Sequence, residues 1–152
     1  MREPALALQI VEATLDGAGS TPVTLKMRLG WDHALMNAPI LAKAASDLGV
    51  QLVTVHGRTR CQFYKGDADW RAIRDTVDAV DVPVIANGDI YSVESAQLAQ
   101  SDSNAYGVMI GRAAMGRPWL LSEISAAFNK SKFVAPDLQQ QADGFGQMGG
   151  GD

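Results

Sequence analysis

The sequence predicts an α/β fold with a parallel sheet, and three observations carry that prediction. Some segments place apolar residues at helical spacing, others alternate or run β-branched, and the two kinds take strict turns along the chain. Glycines, prolines and short polar stretches punctuate the changes. Strict alternation calls for helical crossovers between parallel strands.

Taken in order, residues 4–16 (PALALQIVEATLD) form a helix, with Pro4 early and Gly17 just past the end. Residues 22–29 (PVTLKMRL) alternate as a strand, and a helix over roughly 35–48 is closed by Gly49. The β-branched run VQLVTVH, 50–56, is the second strand. The polar loop GRTRCQFYKGDA then leads to a helix near 69–79. VPVIANG, 82–88, is the third strand, followed by a helix over 92–100 with Ser92 as N-cap and Glu94 and Ser95 in its first turn. AYGVMIG, 105–111, is the fourth strand, a short helix follows at 112–116, and a longer one spans about 119–129. Four strands cannot close a parallel barrel, which takes eight. A small open doubly wound sheet and half of a (β/α)₈ barrel both fit. Beyond Lys132 the composition turns Gln- and Gly-rich without periodicity, so the chain divides into a folded unit at 1–131 and a disordered tail at 132–152.

With 152 residues, 47% hydrophobic and 20% charged, the chain has the composition of a soluble globular domain. It holds no apolar run near the ~20 residues that span a bilayer, and its opening Met1-Arg2-Glu3-Pro4 is no signal peptide. A single cysteine, Cys61, excludes a disulfide framework and a cysteine-rich metal site. A cytoplasmic location is expected. The net charge of −4 argues against a general nucleic-acid footprint, but the charges are unevenly placed. Acids fall in the expected helices, whereas Lys26, Arg28, Arg58, Arg60, Lys65, Arg112 and Arg117 fall at strand ends or in the loops after them. A locally basic face on an acidic body follows.

Side chains alternate along a strand, so Lys26 shares a face with Thr24 and Arg28, His56 with Leu52 and Thr54, Asn87 with Pro83 and Ile85, and Gly111 with Gly107 and Met109. The opposite faces are aliphatic and call for helices. The polar faces would line the inside of a barrel and its C-terminal mouth, where barrel enzymes carry their sites. Asn87-Gly88-Asp89 and Gly111-Arg112 suggest a phosphate grip after the last two strands, with close backbone approach, helix-opening N–H groups and one guanidinium. Trp70 and Trp119 read as packing residues.

The runs PVTLKMRLGWD, VTVHGRTRCQFYKGDADW, VPVIANGDI and MIGRAAMGRPW resemble bacterial tRNA-dihydrouridine synthases, closest to the B-type, over nearly everything from Met1 to about Ile124. The resemblance implies a partial (β/α)₈ barrel equivalent to strands 5–8, helices outside. It also implies FMN as cofactor, NADPH as reductant and tRNA as substrate, with uridine C5=C6 reduced. Lys26 would contact the flavin ring, His56 would lie beside it, and Asn87, Gly88, Asp89, Gly111 and Arg112 would bind its phosphate. Arg58, Arg60 and Lys65 would meet tRNA phosphates. The family's proton-donating cysteine stands in an Asn-x-Gly-Cys-Pro motif that this sequence lacks, and Cys61 is no substitute for it. The chain is therefore expected to be a fragment without its own catalytic residue, inactive alone and prone to self-association through open sheet edges. A non-catalytic flavin- or phosphate-binding half-barrel, and another phosphate-binding barrel enzyme using Lys26 as base or Schiff-base amine, remain alternatives.

Overall fold

A computed structural model describes residues 1–137 together with 139 and 140. The elements alternate as the sequence predicts: α1 (Pro4–Ala18), β1 (Thr24–Arg28), α2 (Ala38–Leu48), β2 (Leu52–His56), α3 (Arg74–Ala79), β3 (Val84–Asn87), α4 (Val93–Ser103), β4 (Gly107–Met109) and α5 (Leu120–Phe128). All strand pairs are parallel, and the sheet order is β1-β2-β3-β4. A doubly wound sheet reverses its strand order part-way, whereas a barrel adds each strand beside the last. The sequential order decides for part of a barrel.

Local differences from the expected boundaries have physical causes. Helix α2 begins at Ala38 rather than near 35 because residues 30–37 make a turn. The Asp32 carboxylate accepts from the N–H groups of Ala34 and Leu35, and a Cβ on Gly30 would stand 2.0 Å from the Leu35 carbonyl oxygen. The helix expected near 69–79 is a 3₁₀ turn, Arg71–Ile73, running into the short α3, and that at 112–116 is a 3₁₀ turn, Arg112–Ala114. Ser92 caps α4 as expected, and its hydroxyl and that of Ser95 form a reciprocal capping box. Of the segment 132–152, residues 132–137 lie in neither helix nor strand, and Asp137 and Gln140 exchange hydrogen bonds. The rest of the tail expectation lies outside the described residues.

The sheet's outward face carries the core. Val53, Val55, Val84, Ala86 and Met27 are buried against Leu41, Ala42 and Ala45 of α2 and against Ile73. A second cluster, Ile90, Ala96, Ala99, Leu120 and Ile124, joins α4 to α5, and Trp70 packs against both clusters. The inward face is left open: Lys26 and Met109 are exposed there. No helix among the described residues is long and apolar enough to cross a membrane. Ile73 is fully buried between sheet and helices. Ile73→Ala should therefore lower the unfolding free energy by about 2–5 kcal/mol in a urea titration; a change within a few tenths would mean that this packing is absent in solution.

Candidate functional site

The parallel register builds the site. Lys26, Thr54, Ile85 and Gly107 are aligned across the four strands, and one layer nearer the C-terminal ends lie Arg28, His56, Asn87 and Met109. Above these two rows opens a cleft of about 480 Å³. All seven residues expected to face a cofactor line it: Lys26, His56, Asn87, Gly88, Asp89, Gly111 and Arg112. Arg28 and Tyr64, not singled out as site residues, line it too.

The loops after the strands fix these groups. The Asn87 amide donates to the Met109 carbonyl and ties β3 to β4. Gly88 has φ +114°, and a Cβ there would sit 2.9 Å from the Ala68 methyl and 3.3–3.4 Å from the His56 ring. Only glycine combines that backbone with that approach. The Trp70 indole N–H donates to the Gly88 carbonyl at 2.8 Å, holding the turn from behind. Arg28 donates from Nη1 to the carbonyls of Thr59 and Phe63. Tyr64 lies over two guanidiniums, with Arg112 4.5 Å and Arg28 5.8 Å from its ring centroid. Nothing in the spacing of the loop GRTRCQFYKGDA shows that its tip folds back over the cleft. For Arg28 a signal existed: it is two residues past Lys26, hence on the same face.

The residues lining the cleft carry an excess of positive charge. Among the described residues Lys26, Arg28 and Arg112 make no ion pair. The one acid lining the cleft, Asp89, is already committed to Arg58. Burial opposes ionisation of Asp89, but hydrogen bonds from Arg58 and the Ala68 N–H outweigh it and hold the carboxyl below its ordinary range. Burial, then the neighbouring Arg28, lowers the pKa of Lys26. His56 is pushed down from 6.5 to about 4, first by burial and then by Arg28, Lys26 and Arg58, with Asp89 opposing. It is neutral at physiological pH, and its Nδ1 is buried without a hydrogen-bond partner among the described residues.

The three residues expected to face tRNA phosphates separate. Arg58 is 3% exposed and directed inward onto Asp89, unlike the solvent-facing position its loop suggested. Its position in a polar loop suggested solvent, but Asp89, 31 residues on, neutralises it. Arg60 is exposed, 4.5 Å from the Phe63 ring centroid, and Lys65 is exposed beside it in sequence. Cys61 is exposed and does not line the cleft.

The model of the dihydrouridine synthase (Dus) family matches residues 1–148. The chain belongs to this family. It is 51% identical over 144 residues to a "Probable tRNA-dihydrouridine synthase" of Rickettsia bellii, covering 94% of this chain and 44% of that protein. To the "tRNA-dihydrouridine synthase B" of Pseudomonas putida it is 42% identical over 141 residues, covering 92% and 42%. The chain thus spans less than half the length of these relatives. Among solved structures it is similar to the old yellow enzyme homologue from Zymomonas mobilis, with a TM-score of 0.59 at 19% identity, covering 91% of this chain and 40% of that one. It is also similar to the N-acetylmannosamine-6-phosphate 2-epimerase from Clostridium perfringens, with a TM-score of 0.52 at 21% identity over 79% and 48%. These likenesses concern the fold, and both enzymes are (β/α)₈ barrels. The Dus chain is therefore part of such a barrel.

The cleft makes a prediction about pH. A pKa of about 4 for His56, against 6.5 unfolded, means that the unfolded chain binds the proton more readily. The neutral imidazole's contribution to stability is fully present above pH 6.5 and declines as pH falls from 6.5 towards 4. Following the imidazole carbon shifts of His56 by NMR should show a midpoint near 4, and His56→Gln should flatten the stability–pH slope in that window. A midpoint at 6.5 would contradict the buried, cation-flanked setting.

Proposed function

We propose that this chain is the FMN-phosphate-binding part of an FMN-dependent tRNA-dihydrouridine synthase. The observation that carries the reading is the gathering of Lys26, Arg28 and Arg112, none in an ion pair among the described residues, with Gly88 and Gly111 in one cleft at the strands' C-terminal ends. The donor set fits a phosphate monoester carried on a chain from an electron-accepting ring. Excess positive charge faces the cleft, Arg58 neutralises its single carboxylate, and the neutral His56 leaves an unpartnered ring nitrogen.

In this reading Arg112, with the backbone at Gly88 and Gly111, holds the phosphate by charge-assisted and N–H bonds. Lys26, one row down in the sheet from Arg28, places an ammonium where negative charge on the ring system is stabilised. FMN, when bound, supplies the hydride for reducing uridine C5=C6 and is recharged by NADPH. Arg60 and Lys65 stand outside the cleft on the loop after β2, where tRNA phosphates are the matching partner. Cys61 is exposed and does not line the cleft, which speaks against it as the acid for C5. By itself the chain should bind flavin without turnover. Its edge strands β1 and β4 border apolar grooves, one including Met1, Leu25, Met27 and Trp31, the other Tyr106, Val108, Ile110 and Phe128. Association through those edges is expected.

Titrating FMN fluorescence with the chain tests the proposal. Saturable quenching is expected, and Arg112→Ala should weaken it by about tenfold or more, the worth of one hydrogen bond to a charged group. No quenching at millimolar FMN, or an affinity indifferent to Arg112, would overturn it. For tRNA, Lys65→Ala should weaken binding for all sequences alike and reduce the salt slope by about 1; an unchanged slope would remove Lys65 from the interface.

A further inference from the structure

The least expected feature of the site is a buried ion pair behind it. The Arg58 guanidinium donates to both Asp89 carboxylate oxygens, at 2.9 and 2.6 Å. Its Nη2 also donates to the Gly66 carbonyl at 2.5 Å, and its Nε to that of Lys65 at 3.4 Å. Asp89 Oδ2 in turn accepts the Ala68 N–H at 2.7 Å. The Arg58 carbonyl accepts the Leu29 N–H from the loop after β1, so one residue grips the loops after three successive strands. Each gripped segment carries a wall of the cleft. Leu29 follows Arg28, Lys65 follows Tyr64, and Asp89, itself at φ +54°, follows Gly88. A buried pair contributes little net stability against an apolar substitute, since desolvation offsets its attraction. A planar five-donor fork satisfied at four acceptor atoms does, however, fix geometry in a way that a point charge cannot.

Resting on the flavin-phosphate reading of the cleft, we propose that Arg58 and Asp89 are positioning residues. They lock the loops after β1, β2 and β3 so that Tyr64, Gly88 and the cations free of ion pairs face the ligand together. The pair also keeps Asp89 from repelling a phosphate, and the two effects separate experimentally. If charge alone mattered, Asp89→Asn would add one net positive charge beside the cleft and tighten anion binding, and Arg58→Lys would behave as wild type. If positioning matters, both variants bind FMN more weakly despite the more favourable or unchanged field. A tenfold drop in the fraction of correctly arranged loops lowers the apparent affinity about tenfold.

The test pairs FMN titration with backbone hydrogen exchange, read by mass spectrometry on the full chain with no flavin present. In Arg58→Lys and Asp89→Asn, exchange is expected to rise in the peptides covering 57–70 and 86–91, where Asp89 accepts the Ala68 N–H and Asn87 and Gly57 accept from neighbouring amides. Protection in α2 and α4 stays at wild-type level. Unchanged exchange in those loops, tighter FMN binding by Asp89→Asn, or full rescue by Arg58→Lys would each overturn the proposal. A uniform rise across all peptides would assign the pair to global stability and would overturn it as well. Failure of the wild-type chain to bind FMN would count against the flavin reading, while the exchange arm would still decide the role of the pair.

Discussion

Everything in the site depends on the in-register parallel pairing of four strands. Side chains alternate with a period of two, so moving any strand by one residue would carry its polar residue from the cleft face to the helix face. The observed register places Arg28, His56 and Asn87 in one row and Lys26 and Thr54 in the row beneath. The same register sends Met27, Val55 and Ala86 outward together, into the packing against the helices. Core and cleft are therefore two faces of one constraint. The apolar stripe specifies the pairing, and the functional groups are carried along by it.

The second constraint is electrostatic. The chain carries a net charge of −4, yet the described residues lining its cleft hold three cations free of ion pairs. Burial first, and the neighbouring cations second, depress the pKa values of Lys26 and His56. Perturbed groups of this kind collect at binding sites, and an anion in the cleft would offset the coulombic part of both shifts.

Much of this was legible in the sequence because it follows from short-range periodicity. The four strands were found from alternation and β-branching, the α4 cap from Ser92 and Ser95, and the seven cleft residues from their places at strand ends. What escaped depends on contacts across the chain. Arg58 looks like any loop arginine until Asp89 is brought beside it from the next βα unit. Tyr64 looks like part of a polar loop until that loop folds back over Arg28 and Arg112. The helical segments at 74–79 and 112–114 are shorter than expected for a different, local reason: bonds between residues three apart, such as Val80 N–H to the Val77 carbonyl and Met115 N–H to that of Arg112, close them as tight turns.

The central claim is that the cleft is built for a phosphate carried on a flavin, and comparing FMN with riboflavin by calorimetry addresses it most directly. The two ligands share the ring and ribityl chain and differ only in the phosphate. FMN is expected to bind at least about tenfold more tightly, a difference worth about 1.4 kcal/mol, with the gap narrowing as the salt concentration rises. Equal affinities, or a preference for riboflavin, would show that the cations serve something other than a phosphate.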